Sequence, residues 1–363
     1  MTPLMPPLIQ QVTGPTVLVD RHKASANIAT MQATAAAAGV SLRPHFKTHQ
    51  SVTIGAWFGA PDDTAIAVSS MVMAQRFATA GWRDILLAIP LNPGASVQYN
   101  ELAKTIKLGL TIEHEDALAT IAALHAPVDV YIELDAGYGR TGIAVAQAAR
   151  IDALLHRARH THNVRQLGLL LHAGNSYSSH GDEAIAAVHQ HSLQALQQLL
   201  QQLSFDHSQL IISVGDTPTC SRMTAFPGAT EIRPGNYVFY DLMQQQIGAC
   251  DWSQVALAVA CPVIARYPER GEVVVHGGAV HFSKDFVRLD GQPVYGQVMQ
   301  TNAHGWTTPL AGAQLIGVSQ EHGKIRMSAD QIAQLRLGDV LVIVPAHSCL
   351  VMDASQGQCQ VIN

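Results

Sequence analysis

One lysine in this sequence stands where it could act as a nucleophile. Lys47 ends an extended, apolar-flanked segment between His45 and His49, and Pro44 keeps the preceding backbone out of the helical region. An ammonium held at a strand end among other titratable groups loses its proton more easily, and the neutral amine attacks aldehydes. The alternative is an ordinary lysine at a strand terminus, and this segment alone leaves both interpretations open.

A second pair of residues that could do chemistry follows an apolar strand predicted at Asp339–Val344. In an extended segment residues i and i+2 project to the same face, so the imidazole of His347 and the thiolate of Cys349 would converge on one cation. Zinc accepts both ligand types, and two protein ligands leave coordination positions for water or substrate. The alternative is a buried cysteine beside a hydrogen-bonded histidine.

Polar residues also follow predicted strands at three other points. Arg140 could donate to a ring oxygen or a carboxylate, or form a structural salt bridge, and His172 ends a later strand. The segment 215–219 combines a glycine, two threonines and Pro218 near a helix start, which suits a phosphate. Asp216 would repel that phosphate unless it turned outward as a helix cap, and a plain capped turn is the alternative.

The elements that must position these residues alternate between strands and helices. Helices are predicted between most of the strands, for example at Ser69–Ala80, Ala117–Leu124, Val145–Ala158 and Asp182–Leu203. The eight predicted strands are Ser41–Phe46, Thr64–Val68, Asp84–Ala88, Gly109–Ile112, Val128–Leu134, Gln166–His172, Gln209–Val214 and Thr230–Ile232. This pattern predicts an α/β fold with a (β/α)8 TIM-type barrel, whose polar strand ends would share one face, and a doubly wound open sheet is the alternative.

After this region the pattern of apolar and polar residues changes. Short β-rich runs broken by Gly and Pro replace the helical periodicity, for example at Glu272–Val275 and Gln314–Val318. We therefore predict a barrel domain at residues 20–245 and a smaller, mostly β domain made of residues 1–19 and 246–363. The strand predicted at Val17–Val19, after a Pro-rich leader, would join this second domain.

Composition excludes several classes of protein. With 363 residues, of which 48% are hydrophobic, the chain can bury a barrel-sized core and a smaller one. A net charge of -5 without a long basic run argues against nucleic acid or an anionic membrane as partner. No run approaches about 20 apolar residues and no signal peptide is recognisable, so we expect a cytoplasmic protein. Five scattered cysteines without a CxxC predict neither a disulfide framework nor a zinc ribbon.

Taken together, the motifs resemble those of a known family, the D-serine dehydratase and D-threonine aldolase group of pyridoxal-phosphate enzymes with the alanine-racemase-like fold. The resemblance spans nearly the whole chain. It is carried by Arg43-Pro44-His45-Phe46-Lys47-Thr48-His49, Ser213-Val214-Gly215-Asp216-Thr217-Pro218-Thr219, Glu231-Ile232-Arg233-Pro234-Gly235-Asn236 and Pro345-x-His347-x-Cys349.

The resemblance implies a role for each of these segments. Lys47 would carry the cofactor as a Schiff base, residues 215–219, with Gly215, Asp216 and Thr217, would hold its phosphate, and Arg140 would reach its ring. A divalent metal, zinc or another ion, would bind His347 and Cys349. The other pocket candidates are His172, Tyr177, Glu321 and His322, the last two without an assigned role. Family members are typically homodimers whose active site draws on both subunits.

Four hypotheses about function follow from the resemblance. The first is metal-assisted β-elimination from a D-3-hydroxy amino acid, most simply D-serine to pyruvate and ammonia, because aldolases of this group tend to carry aspartate where Cys349 stands. The second is an aldolase that cleaves D-threonine or 3-hydroxy-D-aspartate to glycine and an aldehyde. The third is an amino-acid racemase, against which the metal pair counts. The fourth is a pyridoxal-phosphate carrier protein, against which the second domain counts.

Overall fold

The computed structural model describes residues 7–363, so the beginning of the predicted leader lies outside the described residues. The helices in this range are α1 (Pro7–Gln10), α2 (Arg21–Ala37), α3 (Val52–Gly55), α4 (Met71–Thr79), α5 (Ser96–Ala103), α6 (Ala117–Ala122), α7 (Ala148–Arg159), α8 (Asp182–Gln202), α9 (Thr217–Arg222), α10 (Leu242–Ile247), α11 (Ala279–Phe282), α12 (Ala329–Gln334) and α13 (Ser348–Ala354). The strands are β1 (Thr16–Asp20), β2 (Ser41–Leu42), β3 (Ile66–Val68), β4 (Asp84–Pro90), β5 (Lys107–Ile112), β6 (Val128–Asp135), β7 (Ile143–Ala144), β8 (Val164–Leu171), β9 (Ile211–Val214), β10 (Glu231–Ile232), β11 (Leu257–Tyr267), β12 (Glu272–His276), β13 (Val287–Leu289), β14 (Gln292–Val294), β15 (Gly296–Asn302), β16 (Gly305–Val318), β17 (His322–Arg326), β18 (Val340–Pro345) and β19 (Gln360–Ile362).

The chain forms two compact units. We call residues 30–47 and 52–235 the barrel unit, and residues up to 29 together with 48–51 and 236–363 the β unit. Helix α2 passes from one unit to the other, and the short segment 48–51 belongs to the β unit. The predicted limits of 20–245 for the barrel domain stay a prediction. No helix within residues 7–363 has the length and apolar character needed to span a bilayer.

Eight parallel strands of the barrel unit lie in the order β2-β10-β9-β8-β6-β5-β4-β3, and the short strand β7 pairs with β6 beside this path. A bridge between His45 and Ala67 of β3 joins the two ends of this sheet, with the N–H of Phe46 donating to the carbonyl oxygen of Ala67 at 2.8 Å. The sheet is therefore closed, and the predicted (β/α)8 barrel is confirmed against the open-sheet alternative. Parallel strands end at the same side of a barrel, so the residues that follow them share one rim.

Large side chains fill the interior of the barrel unit where glycines leave room for them. The ring of Tyr131 packs in a buried cluster with Leu86 and Leu170. A Cβ atom on Gly168 would lie 2.7 Å from this ring, which is closer than real Cβ contacts, so only glycine fits there. Arg43 from the first motif is also interior, where its Nε donates to Glu231 at 2.8 Å. A buried charge needs such a partner, so Arg43 has a structural role.

The β unit is built on an antiparallel barrel. Six strands pair in the order β12-β17-β16-β15-β18-β11, and a further pairing between β11 and β12 closes the ring. Strand β1 pairs antiparallel with β11, with Thr16 opposite Ala260, and parallel with β19. The N-terminal strand thus lies in the same sheet as the C-terminal strands, as the sequence predicts.

Candidate active site

Lys47 lies directly after the segment that closes the parallel barrel. Its backbone N–H approaches Nδ1 of His45 at 3.4 Å, a long contact that turns the imidazole toward Lys47. Burial lowers the pKa of His45 well below its usual value, and the nearby positive charges of Lys47, Arg233 and Arg140 lower it further. At neutral pH this histidine therefore carries no charge, and Lys47 stands in a positively charged surrounding.

His172 lies at the same rim and is also held neutral. Its Nδ1–H donates to the carbonyl oxygen of Gly215 at 2.8 Å, which fixes the tautomer and leaves Nε2 as an acceptor. Burial lowers the pKa of His172 to about 3, helped by the charges of Arg233, Lys47 and Arg140 and opposed by the bond to Gly215. The imidazole and its three cationic neighbours form a site that favours negative charge in a ligand.

The segment 215–219 forms a capped turn, a geometry that the sequence analysis allowed both with and without a bound phosphate. The carboxylate of Asp216 accepts from the N–H of Thr219 at 2.9 Å and from the hydroxyl of Ser176 at 2.7 Å, so it points into the turn as the cap of α9. Burial raises the pKa of Asp216, and these hydrogen bonds oppose the shift. The Thr217 N–H reaches the hydroxyl oxygen of Tyr177 at 3.3 Å, which leaves the hydroxyl proton of Tyr177 to donate elsewhere.

Gly215 is required by close packing at this turn. A Cβ atom at this position would lie 2.8 Å from the backbone nitrogen of Arg233, where strand β10 has ended. A side chain on residue 215 would push the capped turn away from the neighbouring strand end. The glycine therefore lets the backbone of 215–217 pack against the end of β10, and without a side chain at residue 215 a ligand can approach this backbone closely.

Arg140 and Arg233 supply positive charge in different ways. The Arg140 side chain is half-exposed, lies 3.9 Å from Oε1 of Glu133, and stacks over Tyr138 at 5.5 Å. Arg233 is buried and donates to the carbonyl oxygen of Leu171 at 2.7 Å. Sequence reasoning singled out Arg140 and treated Arg233 only as part of a motif, although its place directly after strand β10 was a usable signal.

Glu133 is a further rim residue that sequence reasoning did not select. Its Oε1 accepts from the hydroxyl of Thr141 at 2.9 Å, whereas its buried Oε2 has no hydrogen-bond partner among the described residues. Burial raises the pKa of this carboxyl group, and the Thr141 bond opposes the shift. A buried acceptor without a protein partner is costly, so a ligand that donates to Oε2 would stabilise this site.

In the β unit, His347 and Cys349 do not lie on one extended segment, so that part of the sequence argument is wrong. Strand β18 ends at Pro345 and helix α13 begins at Ser348, which places Cys349 in the first helical turn. The change of direction has a clear cause, because the carboxylate of buried Asp241 accepts from the Ser348 N–H at 2.9 Å and from its hydroxyl at 3.1 Å. The two side chains nevertheless meet in a hydrogen bond.

The surroundings of His347 favour a positive charge. Its Nδ1 bonds Oδ2 of Asp285 at 2.8 Å, which leaves Nε2 for another ligand. Burial opposes a charged imidazole here, but Cys349, Asp285 and Asp241 together raise the pKa of His347 to about 11. The same bond lowers the pKa of Asp285. A thiolate, an imidazole oriented by a carboxylate and nearby negative charge form a donor set that suits zinc.

Two polar groups of the β unit contact the sulfur of Cys349. The side-chain amide of Asn236 donates to Sγ at 3.3 Å, and Sγ lies 3.4 Å from Oγ1 of the buried Thr48. A hydrogen bond to a thiolate favours the ionised form, which is the form that binds metals. The Asn236 amide therefore favours the thiolate, whereas toward Thr48 the thiol is itself the donor.

The remaining pocket candidates of the sequence analysis lie elsewhere in the β unit. Glu321 comes just before β17 and His322 is the first residue of that strand, opposite His276 of β12. Glu321 lies near His276 and His281.

Comparison with known families gives two matches. Residues 19–242 match the family "Alanine racemase, N-terminal domain", and residues 256–359 match the family "Putative serine dehydratase domain". The boundary between the two matches lies near residue 245, where the sequence changes from alternating helices and strands to β-rich runs.

Individual relatives match almost the entire chain. D-threo-3-hydroxyaspartate dehydratase from Delftia sp. (strain HT23) is 32% identical over 92% of this chain and 90% of its own length. D-serine dehydratase from Dictyostelium discoideum is 26% identical over 94% of this chain and 91% of its own. The solved structure of the Delftia enzyme superimposes with a TM-score of 0.85, covering 95% of this chain and 93% of that one, at 32% identity.

Proposed function

Because the chain belongs to the D-serine dehydratase and D-threonine aldolase family of alanine-racemase-like enzymes, we propose that it is a pyridoxal-phosphate- and zinc-dependent lyase that removes water from D-3-hydroxy amino acids, with D-serine as its substrate. D-serine loses its α-proton and its β-hydroxyl, which leave together as water. The enamine that remains takes up water and becomes pyruvate and ammonia. The oriented pair of His347 and Cys349 carries this proposal, because elimination needs help for a poor leaving group.

When bound, pyridoxal phosphate supplies an aldehyde that condenses with amines and a ring that delocalises charge from the neighbouring carbon, and zinc supplies a Lewis acid for the departing hydroxyl. Lys47 would hold the cofactor through its amine, and Arg140 would contact the ring. The cationic rim suits the phosphate, since the charges that lower the pKa of His172 also attract an anion. Gly215, Asp216 and Thr217 form the capped turn on which that phosphate would rest, and the hydroxyl of Tyr177 lies against the Thr217 N–H.

The chain's own residues supply the proton transfer and the ligand set. The amine of Lys47 would take the proton from the α-carbon of the substrate, the usual role of a neutral amine at such a site. Asp285 would orient His347 through Nδ1, so that Nε2 would be the atom that holds the metal. Neutral His172 keeps its proton on Nδ1 and does not compete for the α-proton.

A second substrate, D-threo-3-hydroxyaspartate, is favoured by one observation. The relative that acts on it shares 32% identity with this chain, compared with 26% for the D-serine dehydratase from Dictyostelium. The reaction would be the same elimination, giving oxaloacetate and ammonia. A second carboxylate on the substrate would need a cation, and the barrel rim carries the positive charge of Arg140, Arg233 and Lys47 around His172.

We further propose that the protein is a homodimer. Large apolar side chains of the β unit are exposed, among them Val280 at 46%, Phe286 at 40% and Leu350 at 37%. Exposed apolar side chains of this kind are typical of interaction surfaces. Sedimentation velocity at micromolar concentration is expected to give twice the mass of the 38.9 kDa chain, and a single species at the chain mass would contradict the proposal.

Product analysis tests the proposed reaction. The purified enzyme with pyridoxal phosphate is incubated with D-serine, D-threo-3-hydroxyaspartate, D-threonine and L-serine, before and after chelation and zinc addition. We expect pyruvate and ammonia from D-serine, loss of this activity with chelator, and recovery with zinc. Glycine and acetaldehyde from D-threonine without any keto acid would establish an aldolase instead, and full activity after chelation with conversion of one enantiomer to the other would establish a racemase.

A further inference from the structure

Three side chains of the β unit that the proposed reaction does not use lie together. They are His276 at the end of β12, His281 in α11 and Glu321 just before β17. One ligand atom from each lies within 4.8 Å of the other two, and Nε2 of His276 is 3.6 Å from an oxygen of Glu321. Two imidazoles and one carboxylate form a ligand set that zinc takes in proteins.

Two consecutive glycines allow these residues to meet. A Cβ atom on Gly278 would lie 2.3 Å from the carbonyl oxygen of Ser319 and 2.4 Å from that of Gln320. A Cβ atom on Gly277 would lie 2.5 Å from the sulfur of Cys261. Because neither position has room for a side chain, the start of α11 packs directly on the turn before β17. This close packing brings His281 next to Glu321.

Backbone hydrogen bonds hold the three ligand positions in place. The Gly277 N–H donates to the carbonyl oxygen of Glu321 at 2.8 Å, and the Ala279 N–H donates to that of Ser319 at 2.7 Å. The turn itself closes with a bond from the Ser319 N–H to the carbonyl oxygen of His322 at 2.9 Å. The ligands therefore project from a fixed backbone, which lowers the entropic cost of binding an ion.

The distance between His276 and Glu321 fits a shared ion better than a direct bond. At 3.6 Å it exceeds the usual length of a hydrogen bond of about 2.7–3.2 Å. Two ligand atoms at about 2.1 Å from one tetrahedral zinc lie roughly 3.4 Å apart. The side chains of His276 and Glu321 are 42% and 46% exposed, so an ion pair between them would contribute little stability. This exposure also leaves a coordination position open to water.

We propose that His276, His281 and Glu321 bind a second zinc ion, separate from the one proposed at His347 and Cys349. Two nitrogen ligands select zinc or a similar transition metal over magnesium or calcium. The ion would tie together β12, α11 and the turn before β17. This inference does not depend on the proposed reaction, because the three ligands share no residue with the proposed catalytic set.

Metal stoichiometry tests the proposal. Untagged enzyme is stripped with a chelator, titrated with zinc, freed of excess zinc by gel filtration and measured by inductively coupled plasma mass spectrometry. We expect two zinc ions per wild-type chain and one in either His276→Asn or Glu321→Gln. His304→Asn, a change of an exposed histidine outside both groups, is the matched control and is expected to keep two.

Cobalt spectra distinguish the two sites even if zinc counts are ambiguous. Cobalt at a thiolate site gives a strong sulfur-to-metal band, whereas a site of nitrogen and oxygen ligands gives only weak visible bands. His276→Asn should keep the strong band, and Cys349→Ala should keep one bound cobalt without it. One zinc per wild-type chain, abolished by Cys349→Ala alone, would overturn the proposal, as would two zinc ions that persist in both His276→Asn and Glu321→Gln. Circular dichroism of the metal-free variants checks that each one folds.

Discussion

The pKa values of two histidines, His172 at the rim of the parallel barrel and His347 after strand β18, are shifted in opposite directions. Burial and the neighbouring cations lower the pKa of His172 to about 3. At His347 burial acts in the same direction, but Cys349, Asp285 and Asp241 outweigh it and raise the pKa to about 11. The comparison separates two kinds of site. The barrel rim suits an anion such as a phosphate, and the β-unit pair suits a cation such as zinc.

The two sites also differ in how their backbone is built. At the barrel rim the functional residues follow the ends of parallel strands, so the fold itself gathers them. In the β unit the pair follows an antiparallel strand and enters a helix whose first residue is held by the distant Asp241. A change at Lys47 should therefore leave the metal pair intact, and a change at Cys349 should leave the barrel rim intact.

The largest expected effect is that of Lys47→Ala. Without the amine, both cofactor attachment and removal of the α-proton are lost, so we expect kcat to fall on the order of 10³-fold or more. Borohydride reduction followed by peptide mass analysis should find the cofactor on the wild-type peptide containing Lys47 and no adduct in the variant. Lys104→Ala, an exposed lysine paired with Glu101, is the control and should keep full activity. If the zinc content of Lys47→Ala is unchanged, the two sites are independent. If zinc is lost together with the cofactor, they are not.

Cys349→Ala is expected to have the next largest effect. Removing the thiolate leaves His347 as the remaining ligand of the pair, so we expect the zinc of this site to be lost and elimination to slow by about 10²-fold. The absorbance of bound cofactor should stay as in the wild type, because the barrel rim is unchanged. Unchanged elimination in metal-depleted Cys349→Ala would refute a role for the metal.

The fold could be predicted from the sequence to the extent that local patterns determine it. Most of the eight barrel strands were found because they are buried apolar runs, whereas β2 and β10 have only two residues each. The contrast between helical and β-rich sequence separated the two parts of the chain. Closure of the barrel depends on a single bridge at His45, which no local pattern reveals. The short strand β7 and the hairpin of β13 and β14 were missed, because strands this short were found only where they lie within a longer predicted run, as β2 and β10 do.

The candidate sites were predictable where chemistry lies within one short segment. Lys47 and the pair of His347 and Cys349 were found in this way, although the helix that carries Cys349 was missed because its cap comes from a residue far away in sequence. Glu133 was passed over because nothing in the sequence shows that one of its oxygens is buried without a partner. The group of His276, His281 and Glu321 combines three elements, so no spacing motif marks it.

Asp285→Asn is expected to weaken zinc binding by His347 and Cys349, with a smaller effect than that of Cys349→Ala. The carboxylate orients His347 and favours a positive ligand, and loss of such a partner typically weakens metal binding by about 10–100-fold. Competition with a chromophoric chelator measures this affinity. Asp62→Asn, at an exposed position in the barrel unit, is the control and should bind zinc as the wild type does. Equal affinities in Asp285→Asn and the wild type would show that Asp285 has no orienting role.

The smallest effect concerns the pH dependence that His172 gives to stability. Its pKa is about 3 in the folded protein and about 6.5 when unfolded, so between these values the unfolded chain binds more protons and stability falls as pH decreases from 6.5. For this one group the loss between pH 7 and pH 5 is on the order of 2 kcal/mol. His172→Gln removes the titration, so its urea midpoint should change less between these pH values than that of the wild type, whatever its absolute stability. His304→Gln should keep the wild-type dependence, and an identical pH dependence in His172→Gln would show that the barrel rim does not hold this imidazole neutral.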